Sequence, residues 1–229
     1  MKTLGMIGGL GPEATVDYYK LIVAAFRERT RGSYPAIIIN SIDLNKVRDL
    51  VTANALAELT EYLVAEVQRL SRAGADFGLL AANTPHIVFD DLSQQSPIPL
   101  ISIVEATCDA AKALGLMKLG LLGTRFTMQG RFFPDVFAKA GVTLVVPGSD
   151  EQDYIHEKYM DELVNGIFLP ETRERFLGIV ARLKSDQGIE GAILGGTELP
   201  LLLRDAPPQS IPFLDTTQIH VQAAVAEML

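Results

Sequence analysis

Three short motifs occur twice along this chain, in the same order and about 115 residues apart. The paired segments are Gly5-Met6-Ile7-Gly8-Gly9 with Gly120-Leu121-Leu122-Gly123-Thr124, residues 79–84 with 193–198, and residues 98–101 with 211–214. One such match is weak, but three in order with nearly equal spacing indicate the duplication of one structural unit. Two copies account for the 229 residues, so the fold has to be one that half of the chain can form.

Short β-branched or apolar runs that end at Gly, Asn, Asp or Thr are typical of buried parallel strands. The predicted strands are residues 3–7, 36–39, 77–80, 100–103, 118–122, 143–146, 191–194 and 213–214. Helical spacing of apolar residues predicts helices over 14–29, 54–73, 105–114, 132–140, 153–166 and 170–187. This alternation predicts an α/β protein with two pseudo-symmetric lobes, each a mostly parallel sheet flanked by helices.

Charge and composition exclude several kinds of partner. The net charge is −8 and the chain contains no Trp, whereas nucleic-acid binding requires a basic face. No apolar run reaches the roughly 18 residues that a membrane span requires. Cys108 is the single cysteine, so no intrachain disulfide can form. We therefore expect a cytoplasmic protein with no nucleic-acid and no membrane partner.

Ligands of open α/β sheets bind beyond the carboxyl ends of the strands, and the repeated motifs fall at such ends. Residues 8–12, Gly-Gly-Leu-Gly-Pro, follow the first predicted strand and precede a helix. Glycines such as Gly9 let backbone N–H groups approach an anion at a helix N-terminus. The third glycine of a dinucleotide fingerprint is missing, and Glu13 would oppose a pyrophosphate. The loop is therefore either structural or in contact with a small carboxylate.

Asn83-Thr84-Pro85-His86 follows the third predicted strand and has two compatible interpretations. Thr84 as N-cap and Pro85 at the first helical position fit the start of a helix. The same geometry would direct backbone N–H groups and the side chains of Asn83 and Thr84 into a cleft. The counterpart in the second half is residues 195–200, while residues 123–127 mirror the first loop and add hydroxyls and a guanidinium. Four such loops suit a small polar acid better than a nucleotide.

Few titratable side chains stand out. His86 is a candidate acid–base group, because the ordinary pKa of histidine lies near physiological pH, although a histidine in a first helical turn also serves a structural role. His156 and His220 lie in helical patterns and are predicted to be structural, as is the thiol of Cys108 in a helix after a strand. The sequence contains no metal-ligand spacing, no Gly-x-Ser-x-Gly nucleophile motif and no phosphate-binding loop with Gly-Lys-Ser/Thr.

The chain resembles the aspartate/glutamate racemase family nearly end to end. The matching segments are residues 7–15, Asp17-Tyr18-Tyr19, residues 72–76, Asn83-Thr84-x-His86, residues 121–128, Gly195-x-Thr197-Glu198 and residues 213–216. The resemblance implies two pseudo-symmetric α/β lobes with the site in the cleft between them. It also implies that the final strand and helix return to the first lobe, which would place residues 1–97 with 211–229 in one lobe and 98–210 in the other.

Members of that family racemise acidic amino acids without a cofactor and often dimerise, so the resemblance implies a homodimer with no cofactor and no metal. Two cysteines, one in each lobe, exchange the α-proton of the substrate. Here their positions hold Ala82 and Gly196, which have no titratable side-chain atom, and Gly196 is expected to leave space for water or a larger substrate. The catalytic candidates that remain are His86 and Glu198, with the hydroxyls of Thr84 and Thr197.

The substrate-binding candidates share strand-end positions and polar or carboxylate-binding chemistry; they are Gly9, Arg48, Asn83, Thr84, Thr124, Arg125, Thr127 and Thr197. Arg48 suits bidentate pairing with a carboxylate, and a solvated surface position fits it equally. Three functions stay open for the chain. It is an isomerase acting on a small acidic amino acid or related carboxylate with a non-standard acid–base pair, a lyase or hydrolase on the same scaffold, or a non-catalytic binder of a small carboxylate.

Overall fold

Two four-stranded parallel sheets, one from each half of the chain, organise the protein. The computed structural model describes residues 1–203 and 210–229. These divide into two compact units, the first made of residues 1–103 with 217–229 and the second of residues 104–216. The predicted α/β class with parallel sheets and flanking helices is confirmed.

The first sheet contains β1 (Leu4–Gly8), β2 (Ile37–Ser41), β3 (Phe77–Leu80) and β4 (Leu100–Ile101) in the order β2-β1-β3-β4. Leu4 at the start of β1 lies opposite Ile37 on one side and Phe77 on the other. Every residue of β1 and β3 is buried, as expected of parallel strands that are covered on both faces.

The helices of the first half are α1 (Pro12–Arg29), α2 (Leu44–Thr52), α3 (Leu56–Arg72) and α4 (Phe89–Gln95), with a 3₁₀ helix over Thr84–Val88. Pro12 begins α1 at a position where its missing N–H is not needed. The final helix α11 (Thr216–Met228) returns to this unit. Its apolar residues, among them Val221 and Val225, join Tyr18 and Phe26 of α1 in one buried core.

The second sheet contains β5 (Lys118–Gly123), β6 (Thr143–Val145), β7 (Gly191–Gly195) and β8 (Phe213–Asp215) in the order β6-β5-β7-β8. The order repeats that of the first sheet, as the duplication predicts. Leu119 of β5 lies opposite Leu144 of β6 and Gly191 of β7. The four strands of each sheet therefore correspond one to one.

The helices of the second half are α5 (Ile103–Ala113), α6 (Arg125–Gln129), α7 (Phe132–Lys139), α8 (Ser149–Asp161), α9 (Pro170–Gln187) and α10 (Leu199–Leu203), with a 3₁₀ helix over Leu163–Asn165. Ile155 and Tyr159 of α8 pack with Phe176 and Ile179 of α9 and with Leu194 of β7 in the core. Cys108 on α5 is a free buried thiol, as predicted. Burial raises its pKa, so it remains a neutral thiol.

The eight predicted strands and six predicted helices are all present, whereas the apolar spacing did not predict five shorter or more uniform helices of the described residues, the last of which was expected only from the family resemblance. These are α2, α4, α6, α10 and α11. α2 begins after Asp43, whose side chain accepts the Asn45 N–H as an N-cap. In a nine-residue helix the apolar repeat is too short to be distinguished from a loop by periodicity alone.

The two units divide at different residues from those that the resemblance implies. Gly78 of β3 pairs with Leu100, which places β4 in the first sheet, and Ala192 of β7 pairs with Phe213, which places β8 in the second. Residues 98–103 therefore belong to the first unit and 211–216 to the second, because each sheet keeps the fourth strand of its own repeat.

Candidate active site

Each sheet has one point at which consecutive connections leave in opposite directions. In the first sheet β2 lies on one side of β1 and β3 on the other, and in the second sheet β6 and β7 flank β5 in the same way. In open parallel sheets the crevice beyond the carboxyl ends of the strands at such a point is the usual ligand site. The loops after β1 and β3, and those after β5 and β7, are therefore the candidates, and they hold the repeated motifs.

The loop after β1 is held together by Thr15. The Thr15 Oγ1 atom accepts a hydrogen bond from the Gly9 N–H at 2.8 Å and donates to the Gly11 carbonyl at 3.0 Å. Gly9 has φ of +84°, and a Cβ there would lie 2.7 Å from the Ser41 Oγ atom. The glycine is therefore required by backbone shape and close packing. Its N–H group, expected to face an anion, is already used within the loop.

The loop after β3 carries Ala82, Asn83 and Thr84. Ala82 and Asn83 are buried, and Thr84 is half-buried at the start of the 3₁₀ helix. The structure corrects the predicted cap, since Asn83 and not Thr84 precedes the first helical residue, and the Asn83 side chain makes no capping bond. Pro85 then occupies the second position. The amide of Asn83 and the hydroxyl of Thr84 are thus the polar groups that follow β3.

His86 is fully enclosed in the first unit. Its Nε2 atom accepts a hydrogen bond from the Ile103 N–H at 3.2 Å, and its ring stacks on Phe89 with centroids 4.9 Å apart. Burial, with a smaller contribution from His220, lowers the His86 pKa to about 3, although the carbonyls of Ala82 and Asn83 favour the charged ring. His86 is therefore neutral at physiological pH, with one ring nitrogen engaged by the backbone.

A second buried histidine, His220, lies next to His86. The Tyr18 hydroxyl lies 2.9 Å from the His220 Nδ1 atom, and the His220 Nε2 atom lies 3.0 Å from the Ile101 carbonyl oxygen. Since a carbonyl only accepts, the Nε2 atom donates and the Nδ1 atom accepts the tyrosine proton. Burial lowers the His220 pKa to about 4. His220 therefore links α1, α11 and β4 as a neutral ring, in agreement with its predicted structural role.

In the second unit the loop after β5 presents two buried threonines. Thr124 is the N-cap of α6, and its hydroxyl accepts the Thr127 N–H at 3.3 Å. The two hydroxyl oxygens also lie 3.3 Å apart. A Cβ at Gly123 would lie 2.5 Å from the Gly195 carbonyl oxygen, so the glycine allows close contact between the strand ends of β5 and β7.

The two arginine candidates lie in different surroundings. The Arg125 guanidinium donates to the Asp153 carboxylate at 2.7 Å, and its backbone N–H donates to the His156 Nδ1 atom at 3.3 Å. Burial and the nearby Arg125 charge lower the pKa of His156. Arg48 lies on α2 with an exposed side chain and a 3.5 Å contact to the neighbouring Asp49. The structure therefore connects Arg125, and not Arg48, to a polar cluster.

The loop after β7 holds a carboxylate that two hydroxyl groups reach. The Thr197 hydroxyl donates to the Glu198 Oε2 atom at 3.1 Å, and the Tyr159 hydroxyl of α8 donates to the same oxygen. Thr197, Glu198 and Tyr159 are all at least 95% buried. Glu198 is therefore a buried carboxylate at the carboxyl end of a parallel strand, with a phenol as its partner.

Tyr159 also corrects the expectation for Gly196. A Cβ built on Gly196 would lie 2.7 Å from the Tyr159 hydroxyl oxygen and 2.8 Å from the Cζ atom. The space that the glycine was expected to leave for water or substrate is therefore filled by the phenol ring. Sequence patterns could not predict this contact, because Tyr159 lies on the apolar face of α8, where a tyrosine is usually a core residue.

Within residues 1–203 and 210–229, no group of three His, Cys, Asp or Glu side chains is arranged to hold a metal ion. Over the same ranges no helix is long and apolar enough to cross a membrane. The expectation of a site between the two halves stays a prediction.

The repeated strand ends match one family over almost the whole chain. The sequence model of the Asp/Glu/Hydantoin racemase family matches residues 7–224, which include all four strand-end loops. The chain belongs to the Asp/Glu/Hydantoin racemase family. It is therefore a racemase-family enzyme, and racemases are isomerases.

Two solved racemase-family structures resemble it along their full length. A putative Asp/Glu racemase from Yersinia pestis is 32% identical, with 100% of this chain and 99% of that chain covered and a TM-score of 0.89. An aspartate racemase homologue from Pyrococcus horikoshii OT3 is 33% identical, with 99% and 98% covered and a TM-score of 0.83. A broad specificity amino-acid racemase, RacX of Bacillus subtilis, is 25% identical over 174 residues, 71% of this chain and 67% of that protein.

Proposed function

We propose that this racemase-family enzyme exchanges the α-hydrogen of a small acidic amino acid or related carboxylate, without a cofactor and with Glu198 as an acid–base group. The buried Glu198 carboxylate at the end of β7 is the observation that carries the proposal. It is titratable, and it lies at the point of the second sheet where ligands of such sheets bind. The family match supports the reaction class.

The reaction requires a positioned base because an amino-acid α-proton is very weakly acidic. One acid–base group typically contributes about 10²- to 10⁴-fold to such a step. Ala82 and Gly196 supply no titratable atom, so residues next to them in the chain have to transfer the α-proton. In the second half that neighbour is Glu198, two residues after Gly196 and hydrogen-bonded by Thr197 and Tyr159.

The polar residues of the first half are assigned to positioning and substrate binding. The engaged Nε2 atom of His86 and its low pKa support a positioning role, in which the ring holds the loop after β3 against the start of α5. Asn83 and Thr84 then remain as the polar groups that contact the substrate. The Thr84 hydroxyl needs a neighbouring base to move a proton, so we assign it to substrate binding.

Recognition of the carboxylates is assigned to the loop after β5. The hydroxyls of Thr124 and Thr127 lie next to each other, and the Arg125 guanidinium has five N–H donors, of which Asp153 does not use all. An arginine and paired hydroxyls suit the planar carboxylate of an acidic substrate. Arg48, exposed on α2, remains a second candidate for the side-chain carboxylate.

Proton NMR in D₂O tests the proposal directly. Purified protein is incubated with each enantiomer of aspartate and glutamate, and the α-proton signal is followed with time. The proposal predicts that the signal disappears with at least one of the four compounds, and that Glu198→Gln abolishes the loss while binding is retained. Binding without exchange for all four would overturn it.

A non-catalytic binder is the second candidate, and the side chains at positions 82 and 196 favour it, since neither Ala82 nor Gly196 can move a proton. In that case the strand-end loops would hold a small carboxylate without changing it. Calorimetry with the same four compounds separates the two functions. A binder shows saturable heat of binding that Glu198→Gln leaves unchanged, together with no α-hydrogen exchange.

A further inference from the structure

We propose that the hydroxyl of Tyr159 is the atom that takes and returns the substrate proton, and that it passes this proton to and from Glu198. The inference rests on the proposed function and names the group that performs its proton transfer in the second half of the chain. It assigns a catalytic role to a residue of α8, far from the strand-end motifs in sequence.

The position of the phenol is the first support. The Tyr159 hydroxyl lies 2.7 Å from where the Cβ atom of residue 196 would be, at the carboxyl end of β7. Any side chain at position 196 would therefore have to begin in the space that this ring occupies. The three atoms nearest to that Cβ position all belong to the Tyr159 side chain of α8, and one of them is its hydroxyl oxygen.

The hydrogen bonds orient the Tyr159 hydroxyl toward the Glu198 carboxylate. Its O–H donates to the Glu198 Oε2 atom, and the backbone N–H of Glu198 points to the phenol oxygen at 3.5 Å. Thr197 donates to the same carboxylate oxygen. A carboxylate oxygen that accepts two O–H groups is held in place, and the existing hydrogen bond from Tyr159 is a direct path along which it can receive a proton.

Charge explains why the two groups have to act together. Burial and the adjacent Glu198 carboxylate raise the pKa of Tyr159 well above its usual value. A free tyrosinate next to a carboxylate would place two negative charges in a buried site, which is costly. The phenol alone is therefore too weak an acid to lose its proton without a simultaneous replacement.

A concerted transfer meets this requirement. The substrate Cα–H bond breaks and its proton forms a new O–H bond on the Tyr159 oxygen, while the original phenol proton moves to the Glu198 Oε2 atom. The electron pair of the broken Cα–H bond stays on the substrate as a carbanion, and Glu198 becomes a neutral carboxylic acid. The reverse transfer returns a proton to the α-carbon, so the phenol is neutral before and after each step.

The test compares two variants that each remove one phenol oxygen from α8. Tyr159→Phe keeps the ring that fills the space beside Gly196, whereas Tyr154→Phe removes a hydroxyl from the side that packs on Phe176. We expect Tyr159→Phe to lower the rate of α-hydrogen exchange in D₂O by about 10²-fold or more. Tyr154→Phe should stay within twofold of the wild-type rate, and both variants should bind substrate with wild-type affinity by calorimetry.

Site-specific incorporation of 3-fluorotyrosine at position 159 guards against a merely structural effect. The ring keeps nearly its full shape, but the phenol is a stronger acid. Proton transfer through the hydroxyl predicts a changed exchange rate, because the acidity of the phenol affects the transfer, whereas a packing role predicts no change.

The outcomes separate this inference from the proposed function. If the wild type exchanges no α-hydrogen of aspartate or glutamate, the proposed function fails and this inference fails with it. If the wild type exchanges and Tyr159→Phe retains more than about a third of that rate, the proposed function stands and the relay is overturned. Wild-type exchange that is lost in both Tyr159→Phe and Glu198→Gln, and kept in Tyr154→Phe, supports both.

Discussion

His86 accepts the backbone N–H of Ile103 through its Nε2 atom, at 3.2 Å. The bond ties the 3₁₀ helix after β3 to the first residue of α5, and it requires an unprotonated nitrogen. With His220 nearby, its ring centroid 6.3 Å from that of His86, the first unit contains two imidazoles that are both kept neutral by burial. Their protonation is therefore linked to folding.

The free energy of unfolding is expected to fall as the pH is lowered below about 6.5, the ordinary pKa of histidine. The folded-state pKa values are about 3 for His86 and about 4 for His220, so the unfolded chain binds more protons throughout that interval. Each histidine should remove about 1.4 kcal/mol per pH unit, and the effect is absent above pH 6.5. Urea unfolding at a series of pH values between 8 and 4.5 measures the slope.

His86→Asn and His220→Asn should each lower stability at pH 7 and make the slope below pH 6.5 about half as steep. His156→Gln serves as the control, because His156 is only half-buried and should leave most of the slope in place. An unchanged slope in both buried-histidine variants would contradict the assignment.

Gly196→Ala is expected to destabilise the second unit because the added Cβ would collide with the Tyr159 ring. Overpacking of this kind typically costs about 1–3 kcal/mol. In a Tyr159→Ser background the space opens and most of that loss should vanish. Denaturant unfolding of the two single variants and the double variant measures the coupling directly.

Gly178→Ala is a suitable control for that cycle. Gly178 lies within α9, and apart from its chain neighbours and the nearby backbone of its own helix no described atom lies within 4 Å of the Cβ that it would gain. Replacing a helical glycine by alanine there should stabilise by roughly 0.5–1 kcal/mol. If Gly196→Ala were equally stabilising, the close contact with Tyr159 would be wrong.

Thr15→Val should loosen the loop after β1. It removes both hydrogen bonds of the Thr15 hydroxyl and leaves the buried N–H of Gly9 without its acceptor. An unsatisfied buried donor costs about 1–3 kcal/mol, measured by chemical denaturation. Thr15→Ser keeps the hydroxyl, so its loss of unfolding free energy is expected to be less than half of the loss in Thr15→Val. Equal losses in the two variants would assign the effect to packing of the methyl group.

Arg125→Ala is expected to raise KM for the acidic substrate about tenfold to a hundredfold, the loss of a charged hydrogen bond worth roughly 1.5–3 kcal/mol. The melting temperature should hardly change, since an exposed ion pair such as Arg125 with Asp153 contributes little to stability. Arg131→Ala is the matched control, because Arg131 forms a similar exposed pair with Asp135. A KM unaffected by Arg125→Ala would remove Arg125 from substrate recognition.

Sequence patterns predicted the parts of this fold that are governed by local periodicity. The apolar runs of β1 and β7 and the long helix α9 were all predicted from the residues themselves, and the duplication predicted the equal strand orders of the two sheets. The nine-residue α2 escaped because two turns of helix give too little periodic signal. The residues at which the two units divide were not predicted correctly, because β4 is only two residues long and the sequence of one strand does not show which strand it pairs with.

The candidate site could be predicted only as far as its motifs. Glu198 and Thr197 were identified from the repeat, and they do lie together at the end of β7. Tyr159 was not, because its contact with Glu198 joins residues 39 positions apart and no local pattern marks a core tyrosine whose hydroxyl meets a carboxylate. The occupation of the Gly9 N–H by Thr15 was hidden for the same reason, since a side-chain acceptor six residues away depends on the turn between them.

The return of α11 to the first unit has a consequence during translation. Val221, Ala224, Val225 and Met228 belong to the core that surrounds β1 and α1, and the Met228 carbonyl accepts the N–H of Lys2 at 3.1 Å. The residues of the second unit are contiguous and leave the ribosome before this last helix does. Residues 1–103 are synthesised before the second unit, yet their hydrophobic core is completed only when α11 follows it. A nascent chain therefore has to keep an exposed apolar face on β1, β3 and α1 in the meantime.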